Sequence, residues 1–420
     1  MINIETVKKS TLRSYLTGFS GLVPLFILAH FIFHLIGGLL NPLLPSIRSE
    51  FALDYTQMGF LLGAFHLTTG FANLPAGWLA DRLGPRLLIT VAIAGTGLAG
   101  IFIGLAQNYS MLVVFLILMA ALGGGYHVSA PPLIAASTKR SNQGAALGLH
   151  MIGGTGSLFV APLAAVGIAS IWGWRGPYLA ISLPVLLFGL IFYVILGRRL
   201  AAAKADDLNT SGEIDLEGNN NISYINIIKG PLLPFLTLSV LSGAVIISAV
   251  SFLPLILADS FGATQVAIGV YISLIPLGGL ITSPLAGYLS DRLGTERLMM
   301  GIVFMGVPLI VLLNYVPYGI PLGVLLLAIG VVTTARMPIA ESFLITNAPQ
   351  QFRSRVLSLF YFGGAELSGI LAPLVGNSMD RFGFSYTLFM AAGALLIVAL
   401  GCSYWLKKTK SYARQEVPFS

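Results

Sequence analysis

The stretch GWLADRLG at residues 77–84 decides how this chain is organised, because it occurs twice. It returns as GYLSDRLG at residues 287–294, with six of the eight positions identical at an offset of 210. Other matching pairs stand at an offset of 211: Arg86 and Arg297, Ser157 and Ser368, and Ala161-Pro162 and Ala372-Pro373. Several matches at almost one offset indicate that the second half of the chain duplicates the first.

The segments around both copies are too apolar for a water-exposed protein. Of the 420 residues, 56% are hydrophobic and only 9% are charged, whereas soluble domains carry about 25% charged residues. A bilayer core about 30 Å thick is crossed by roughly 20 apolar residues in a helix. Backbone groups in lipid must bond one another, and continuous rather than alternating apolar runs favour helices over a barrel. We therefore predict an all-α membrane protein.

Twelve apolar segments and one long polar interval set the predicted domain organisation. The apolar segments are 18–40, 54–79, 86–106, 109–136, 143–168, 174–196, 231–258, 263–289, 297–315, 319–347, 352–378 and 384–406. We predict twelve transmembrane helices in two pseudo-symmetric six-helix bundles, at residues 1–196 and 231–420, joined by a cytoplasmic linker at 197–230. Parallel repeats of this kind predict a central cavity between the bundles and transport by alternating access.

The lysine and arginine residues set the predicted orientation. With the N-terminus in the cytoplasm, cytoplasmic segments hold 19 of the 23 basic residues, as the positive-inside rule requires. Three of the others fall in outer loops, and Arg336 falls inside a helix. We predict a multi-pass protein of the cell's inner (plasma) membrane, with both termini cytoplasmic and the basic residues facing anionic membrane lipid. The net charge of +7 then requires no nucleic-acid partner.

With these residues the chain resembles the major facilitator superfamily over nearly its whole length. The sequence GWLADRLGPR at 77–86 fits the family's motif G-x-L-x-D-R-x-G-x-R between helices 2 and 3, and 287–297 is its echo. The N-terminal half is similar to the fosmidomycin-resistance branch of drug exporters. That similarity is carried by Ala29-His30-Phe31, Pro45, Glu50 and His127 after the glycine run 123–125. The resemblance implies a transporter of small molecules whose helices 1 and 4 line the cavity.

The resemblance also implies a conformational latch in the repeated motif, which holds the cytoplasmic side closed in one state. Asp81 and Asp291 stand at predicted helix ends, where a carboxylate can meet a helix N-terminus or an arginine. The predicted latch comprises Gly77, Asp81, Arg82, Gly84, Arg86, Gly287, Asp291, Arg292 and Arg297. The alternative is that these turns only fix the topology.

All five histidines lie in the first half of the chain, within predicted helices. His30 and His34 are four residues apart and share a helix face, and His127 follows in predicted helix 4. Because histidine titrates near neutral pH, these three are candidates for proton relay or for hydrogen bonding to substrate, while His66 and His150 are weaker candidates. Neutral histidines that only bond helix to helix are the alternative. Converging imidazoles could bind a transition metal, but no carboxylate partner appears in that half, and we predict no metal.

The second half contributes three charged residues within predicted helices, Arg336, Glu341 and Glu366. A charge at a helix centre costs roughly 2.5–3.5 kcal/mol on insertion scales, so such groups are functional candidates by default. Arg336 and Glu366 lie at comparable depth, and we expect them to pair. An arginine that binds an anionic group and then pairs again with Glu366 is one interpretation, and a permanent structural ion pair is the other.

These features predict a secondary transporter and not an enzyme. No phosphate-binding loop G-x-x-x-x-G-K-[ST] is present, so an ion gradient must supply the energy. We expect a monomer without cofactors that exports a small polar or anionic organic compound in exchange for protons. Gly148, Ser157, Ala161 and Pro162 resemble a degenerate form of the family's antiporter motif in helix 5, which implies export. Ordinary packing of helices through small residues is the alternative. Uptake of an organic anion with protons is the first alternative, and a membrane enzyme or sensor is the second.

Overall fold

The computed structural model describes residues 21–138, 142–207, 232–348 and 353–415. Within these ranges the chain is helical, with no strand. In the first half the helices are α1 Val23–Gly37, α2 Leu40–Phe51, α3 Tyr55–Leu83, α4 Pro85–Gly104, α5 Tyr109–Gly123, α6 Gly125–Ala136, α7 Gln143–Trp172 and α8 Arg175–Asp207. In the second half they are α9 Leu232–Ser251, α10 Leu253–Phe261, α11 Gln265–Leu293, α12 Thr295–Leu312, α13 Ile320–Asn347 and α14 Arg353–Gln415.

Nine spans in the described part of the chain are long and apolar enough to cross a membrane. Three of them join two helices across a short break: Val23–Phe51, Tyr109–Ala136 and Leu232–Phe261. The last span, Leu359–Thr409, is broken at Gly383, whose φ of 78° only glycine adopts readily, and so makes two crossings. The 29-residue helices α3 and α11 are the remaining two. The described residues thus contain the twelve predicted crossings.

The repeated motif has the same backbone geometry in both copies. Gly84 and Gly294, which correspond at the offset of 210, have φ values of 86° and 85°. Each glycine directly precedes the next helix, α4 or α12. A side chain at such a positive φ is strained, which explains why both copies end in glycine.

The helices form two compact units by their internal contacts. One lies within Met1–Ile47 and Phe71–Ile214, and the other within Arg48–Gly70 and Asp215–Ser420. Helix α3 is therefore shared, its first part belonging to the second unit and the rest to the first.

Small residues allow close helix packing inside the first unit. Helix α4 packs along α8, and α1 packs along α7. A Cβ on Gly97 would stand 2.5 Å from the Leu186 backbone nitrogen, and one on Gly189 would stand 2.6 Å from that of Ala94. Only glycine permits this approach of two backbones, which stabilises helix pairs in lipid.

Small residues also allow close helix packing in the second unit. Helix α9 packs along α14, and α11 packs along α13, where Gly278 would meet the Leu327 carbonyl at 2.6 Å if it carried a Cβ. The first part of α3 joins this unit through Gly59 and Gly63, which lie against the backbone around Ala372 and Gly369.

Helical structure extends beyond two of the predicted apolar segments, the first and the sixth. The first span continues from the predicted end at residue 40 to Phe51, after a break at residues 38–39. Helix α8 runs to Asp207, into the interval 197–230 that we predicted as linker. The polar end of α8 is rich in alanine, arginine and leucine, which favour helix outside the apolar layer as well. Residues 208–231, most of the predicted linker, lie outside the described residues.

Candidate functional site

Four of the five histidines gather in the first unit, on α1, α6 and α7. The ring centroids of His30 and His34 are 4.7 Å apart, and those of His34 and His127 are 5.1 Å apart. The ring of His150 stacks on that of His30 with a centroid distance of 4.0 Å and an interplanar angle of 13°. The predicted convergence of His30, His34 and His127 is thus present, and His150 is part of the same cluster.

Backbone carbonyls orient the two buried rings of this cluster. The Nδ1 atom of His30 lies 2.8 Å from the carbonyl oxygen of His150, and the Nδ1 atom of His150 lies 3.2 Å from that of Phe26. A carbonyl oxygen only accepts, so Nδ1 is the protonated nitrogen in both rings. The other ring nitrogen of His30, Nε2, is buried and has no hydrogen-bond partner among the described residues.

The cluster is closed on one side by aromatic rings and open on the other. Tyr126 is fully buried and its ring stacks on His30 and on Phe33, at centroid distances of 5.4 Å and 4.6 Å. Exposure increases from His30, which is buried, through half-buried His34 to exposed His127.

Arg336 lies in the second unit and is the buried charge of α13, only 4% exposed. Its Nη1 atom donates to the carbonyl oxygen of Ser239, at 2.6 Å. Its Nε atom has no hydrogen-bond partner within the described ranges. Gly243 leaves room for the guanidinium, because a Cβ there would stand 2.5 Å from Cζ of Arg336.

A cavity of about 210 Å³ adjoins this guanidinium, entirely within the second unit. Its wall includes His66 from the first part of α3, Ser239 and Gly243 from α9, and Tyr361 and Ser368 from α14. His66 was a weaker candidate by sequence, because it lies in predicted helix 2, whereas the resemblance implies that helices 1 and 4 line the cavity. The division of α3 between the units accounts for its place beside Arg336.

Glu366 does not form the predicted ion pair with Arg336. Among the residues that the structure describes, Arg336 donates to a backbone carbonyl and not to Glu366, so the expected ion pair is not formed. Glu366 places Oε1 beside Gly70, and Glu341 accepts a hydrogen bond of 2.6 Å from the hydroxyl of Tyr361. Because Tyr361 lines the cavity, this bond connects Glu341 to it.

The described side chains of the first copy of the repeated motif show how its arginines are held. Arg86 donates from Nε to the Tyr193 carbonyl at 2.9 Å and stacks over the Tyr193 ring, and Arg82 stacks over Trp78. Arg297 is exposed. The side chains of Asp81, Gly287 and Asp291 lie outside the described ones, so the predicted carboxylate contacts of the latch stay a prediction.

A polar network at the start of α3 is a feature that sequence reasoning missed. The carboxylate of Asp380 accepts from the backbone nitrogens of Tyr55 and Thr56, at 3.0 Å and 2.8 Å. Arg48 donates to Asp259 at 2.5 Å, and the Tyr55 hydroxyl also bonds to Asp259. A carboxylate satisfies free N–H groups at a helix N-terminus and interacts favourably with the helix dipole. In the sequence these acids look like ordinary loop residues.

A duplicated scaffold of apolar spans, with polar groups around an internal cavity, defines a membrane transporter rather than an enzyme. The sequence profile described as Major Facilitator Superfamily matches residues 26–373 and 235–419. The chain therefore belongs to the major facilitator superfamily and is a multi-pass membrane protein. It is similar to the multidrug resistance protein MdtG of Escherichia coli (strain 55989 / EAEC), with 27% identity over 379 residues, 86% of this chain and 88% of that protein.

Solved structures have the same fold. A bacterial homolog of the human lysosomal transporter Spinster, in an inward-facing and occupied conformation, superposes with a TM-score of 0.74 at 16% identity. It covers 92% of this chain and 96% of its own. The POT family transporter PepTSo gives a TM-score of 0.73 at 12% identity, over 93% of this chain and 98% of its own. At these identities the likeness concerns the fold alone.

Proposed function

We propose that this chain is a secondary transporter that exports a small polar or anionic organic compound across the inner membrane in exchange for protons. The observation that carries the proposal is the buried guanidinium of Arg336 beside a cavity of about 210 Å³. The similarity to a multidrug resistance protein supports export. The distribution of lysine and arginine supports cytoplasmic termini.

Arg336 is proposed to bind the anionic group of the cargo. A guanidinium offers five N–H donors in a planar fork that matches a carboxylate or a phosphate. Nη1 is already used by the Ser239 carbonyl, whereas Nε has no partner among the described residues. A buried charge without a counter-charge is costly, and an anion in the cavity relieves that cost.

Glu341 and Glu366 are proposed to carry the exchanged protons, since carboxylates within transmembrane segments often form proton pathways. The hydrogen bond from Tyr361 connects Glu341 to the cavity wall, and Ala365, the neighbour of Glu366, is also part of that wall. When the cargo site and the proton sites are connected, binding of the cargo can disfavour binding of the proton, and the reverse. Exchange of one for the other requires this coupling. Within the first unit, His30, His34 and His127 are proposed as a separate group of side chains for proton relay or for hydrogen bonding to substrate.

Alternating access is proposed to use both ends of the helices. At one end the repeated motif, from Gly77 to Arg86 and from Gly287 to Arg297, acts as the latch. The contact between Arg48 of α2 and Asp259 of α10 is proposed as a second contact that forms and breaks during the transport cycle. Alternate breaking of the two contacts opens one end at a time.

Flux measurements in sealed vesicles test the function. The purified chain is reconstituted, and compounds are first ranked by how far they raise its unfolding temperature, since a ligand of the folded state stabilises it. The best compound is then loaded inside or outside under an imposed pH gradient. We expect movement opposite to the protons. Movement with the protons would establish the uptake alternative, and no movement of any stabilising compound would contradict transport.

A further inference from the structure

We propose that His30, His34 and His127 form a binding site for a divalent transition-metal cation of the Zn²⁺ type. Each residue offers one ring nitrogen, and the three nitrogens lie within 4.8 Å of one another. From the sequence we predicted no metal, because no carboxylate partner was present in that half. However, three imidazoles and a water molecule are a complete ligand set for zinc, so the protein needs to supply no carboxylate.

The hydrogen bond of His30 supports metal binding more specifically than proximity does. Its Nδ1–H donates to the His150 carbonyl at 2.8 Å, which leaves Nε2 as a lone pair in the neutral ring. That atom is buried and has no donor among the described residues. Metal-ligating histidines almost always donate their second nitrogen to a carbonyl or a carboxylate, which fixes the tautomer and the ring orientation. His30 is already held in that way.

The remaining geometry requires only local adjustment. Zinc–nitrogen bonds of about 2.0–2.1 Å place the nitrogens of a tetrahedral site roughly 3.3 Å apart. Side-chain rotation of half-buried His34 and exposed His127 can bring their nitrogens inward toward fixed His30. Because His127 is exposed, the fourth position is left to water or to an anionic group. The inference concerns binding alone, and it stands whether or not the proposed direction of transport is correct.

Metal titration of the purified full chain tests the site. The affinity tag must contain no histidine, and the protein is stripped with a chelator before calorimetry with Zn²⁺ and visible spectroscopy with Co²⁺. We expect one ion per chain and a tetrahedral Co²⁺ spectrum. His34→Ala and His127→Ala should weaken binding at least about tenfold, the lower end of what loss of an outer-shell partner costs. His66→Ala, outside the cluster, is the matched control.

A pair of glycine variants tests the same site without removing a ligand. Gly154→Ala would place a methyl 2.5 Å from Cε1 of His30 and so turn the ring, whereas Gly156→Ala meets nothing within 4 Å. We expect Gly154→Ala to weaken Zn²⁺ binding and Gly156→Ala to leave it unchanged. The proposal is wrong if the wild type binds no ion, if His66→Ala weakens binding as much as His34→Ala, or if neither cluster histidine nor Gly154 affects it. Unfolding temperatures without metal identify any variant that has lost its fold.

Discussion

The histidine cluster of the first unit and the arginine cavity of the second are both polar regions within apolar helices. Among the described residues, one buried nitrogen of the cluster lacks a hydrogen-bond donor, whereas one buried nitrogen of the cavity lacks an acceptor. In the cluster, Nε2 of His30 keeps a lone pair for which the described residues supply no donor. In the cavity, Nε of Arg336 keeps a proton for which they supply no acceptor. A lone pair selects a cation or a hydrogen-bond donor, and a guanidinium selects an anion. The two units thus share a duplicated scaffold and differ in the chemistry that they offer.

The largest effect is expected from a substitution of Arg336, which removes the anion-binding group of the cavity. Arg336→Gln should reduce the flux of an anionic cargo at low concentration by roughly 10- to 150-fold, because a hydrogen bond to a charged group contributes about 1.5–3 kcal/mol to affinity. Arg336→Lys keeps the charge but loses the planar fork, and should retain part of the flux. Proteoliposome uptake assays measure both, with exposed Arg381→Gln as the matched control. Full flux in Arg336→Gln would mean that the arginine is only structural.

The next largest effect is expected from a substitution of Glu341, which should remove proton coupling and keep cargo binding. Glu341→Gln cannot ionise, so a pH gradient should no longer drive accumulation, while exchange of labelled for unlabelled cargo continues. Tyr361→Phe removes the 2.6 Å hydrogen bond but keeps the carboxylate, and should preserve coupling at a reduced rate. The two assays are run on the same vesicles. If Glu341→Gln still accumulates cargo in response to the pH gradient, Glu341 carries no transported proton, and Glu366→Gln becomes the decisive variant.

A smaller effect comes from displacing the guanidinium without removing it. A methyl at position 243 would stand 2.5 Å from Cζ of Arg336, the mobile end of a long side chain. Gly243→Ala should therefore keep its stability and weaken anion binding by about tenfold, comparable to the loss of one hydrogen bond of about 1.4 kcal/mol. Gly393→Ala, where a Cβ meets nothing within 4 Å, is the control. Binding is measured by calorimetry, and equal affinities in the two variants would contradict the role of the Gly243 recess.

The smallest effect lies outside both regions, at the start of α3. Asp380→Asn keeps the size of the side chain but loses the charge and one of the two oxygens that accept from the Tyr55 and Thr56 nitrogens, which should cost about 1 kcal/mol, as for the loss of one hydrogen bond. If these contacts hold the start of α3 in place, the backbone amides of Tyr55 and Thr56 should exchange hydrogen with solvent faster in the variant than in the wild-type chain. Hydrogen-exchange measurements on both proteins test this. Unchanged exchange at these two amides would contradict the role of Asp380 at this helix start.

Hydropathy and the repeated motif predicted much of the fold, because both depend on local rules. The spans follow from the need to satisfy the backbone in lipid, and Gly84 and Gly294 share the positive φ that their common position predicts. The contacts of the charged groups were harder to predict. Arg336 bonds to the Ser239 carbonyl, and His66 lines the same cavity. Hydropathy predicts neither contact, because it does not show which backbone carbonyl a side chain meets or that α3 is divided between the units.

The central claim is that the Arg336 cavity recognises negative charge, and a matched pair of ligands tests it most directly. The measurement is the unfolding temperature of the purified chain with each acid of a small organic-acid panel and with the corresponding neutral amide. We predict that at least one acid stabilises the wild type, that its amide does not, and that neither stabilises Arg336→Gln. Equal stabilisation by acid and amide, or by the acid in both proteins, would contradict the account.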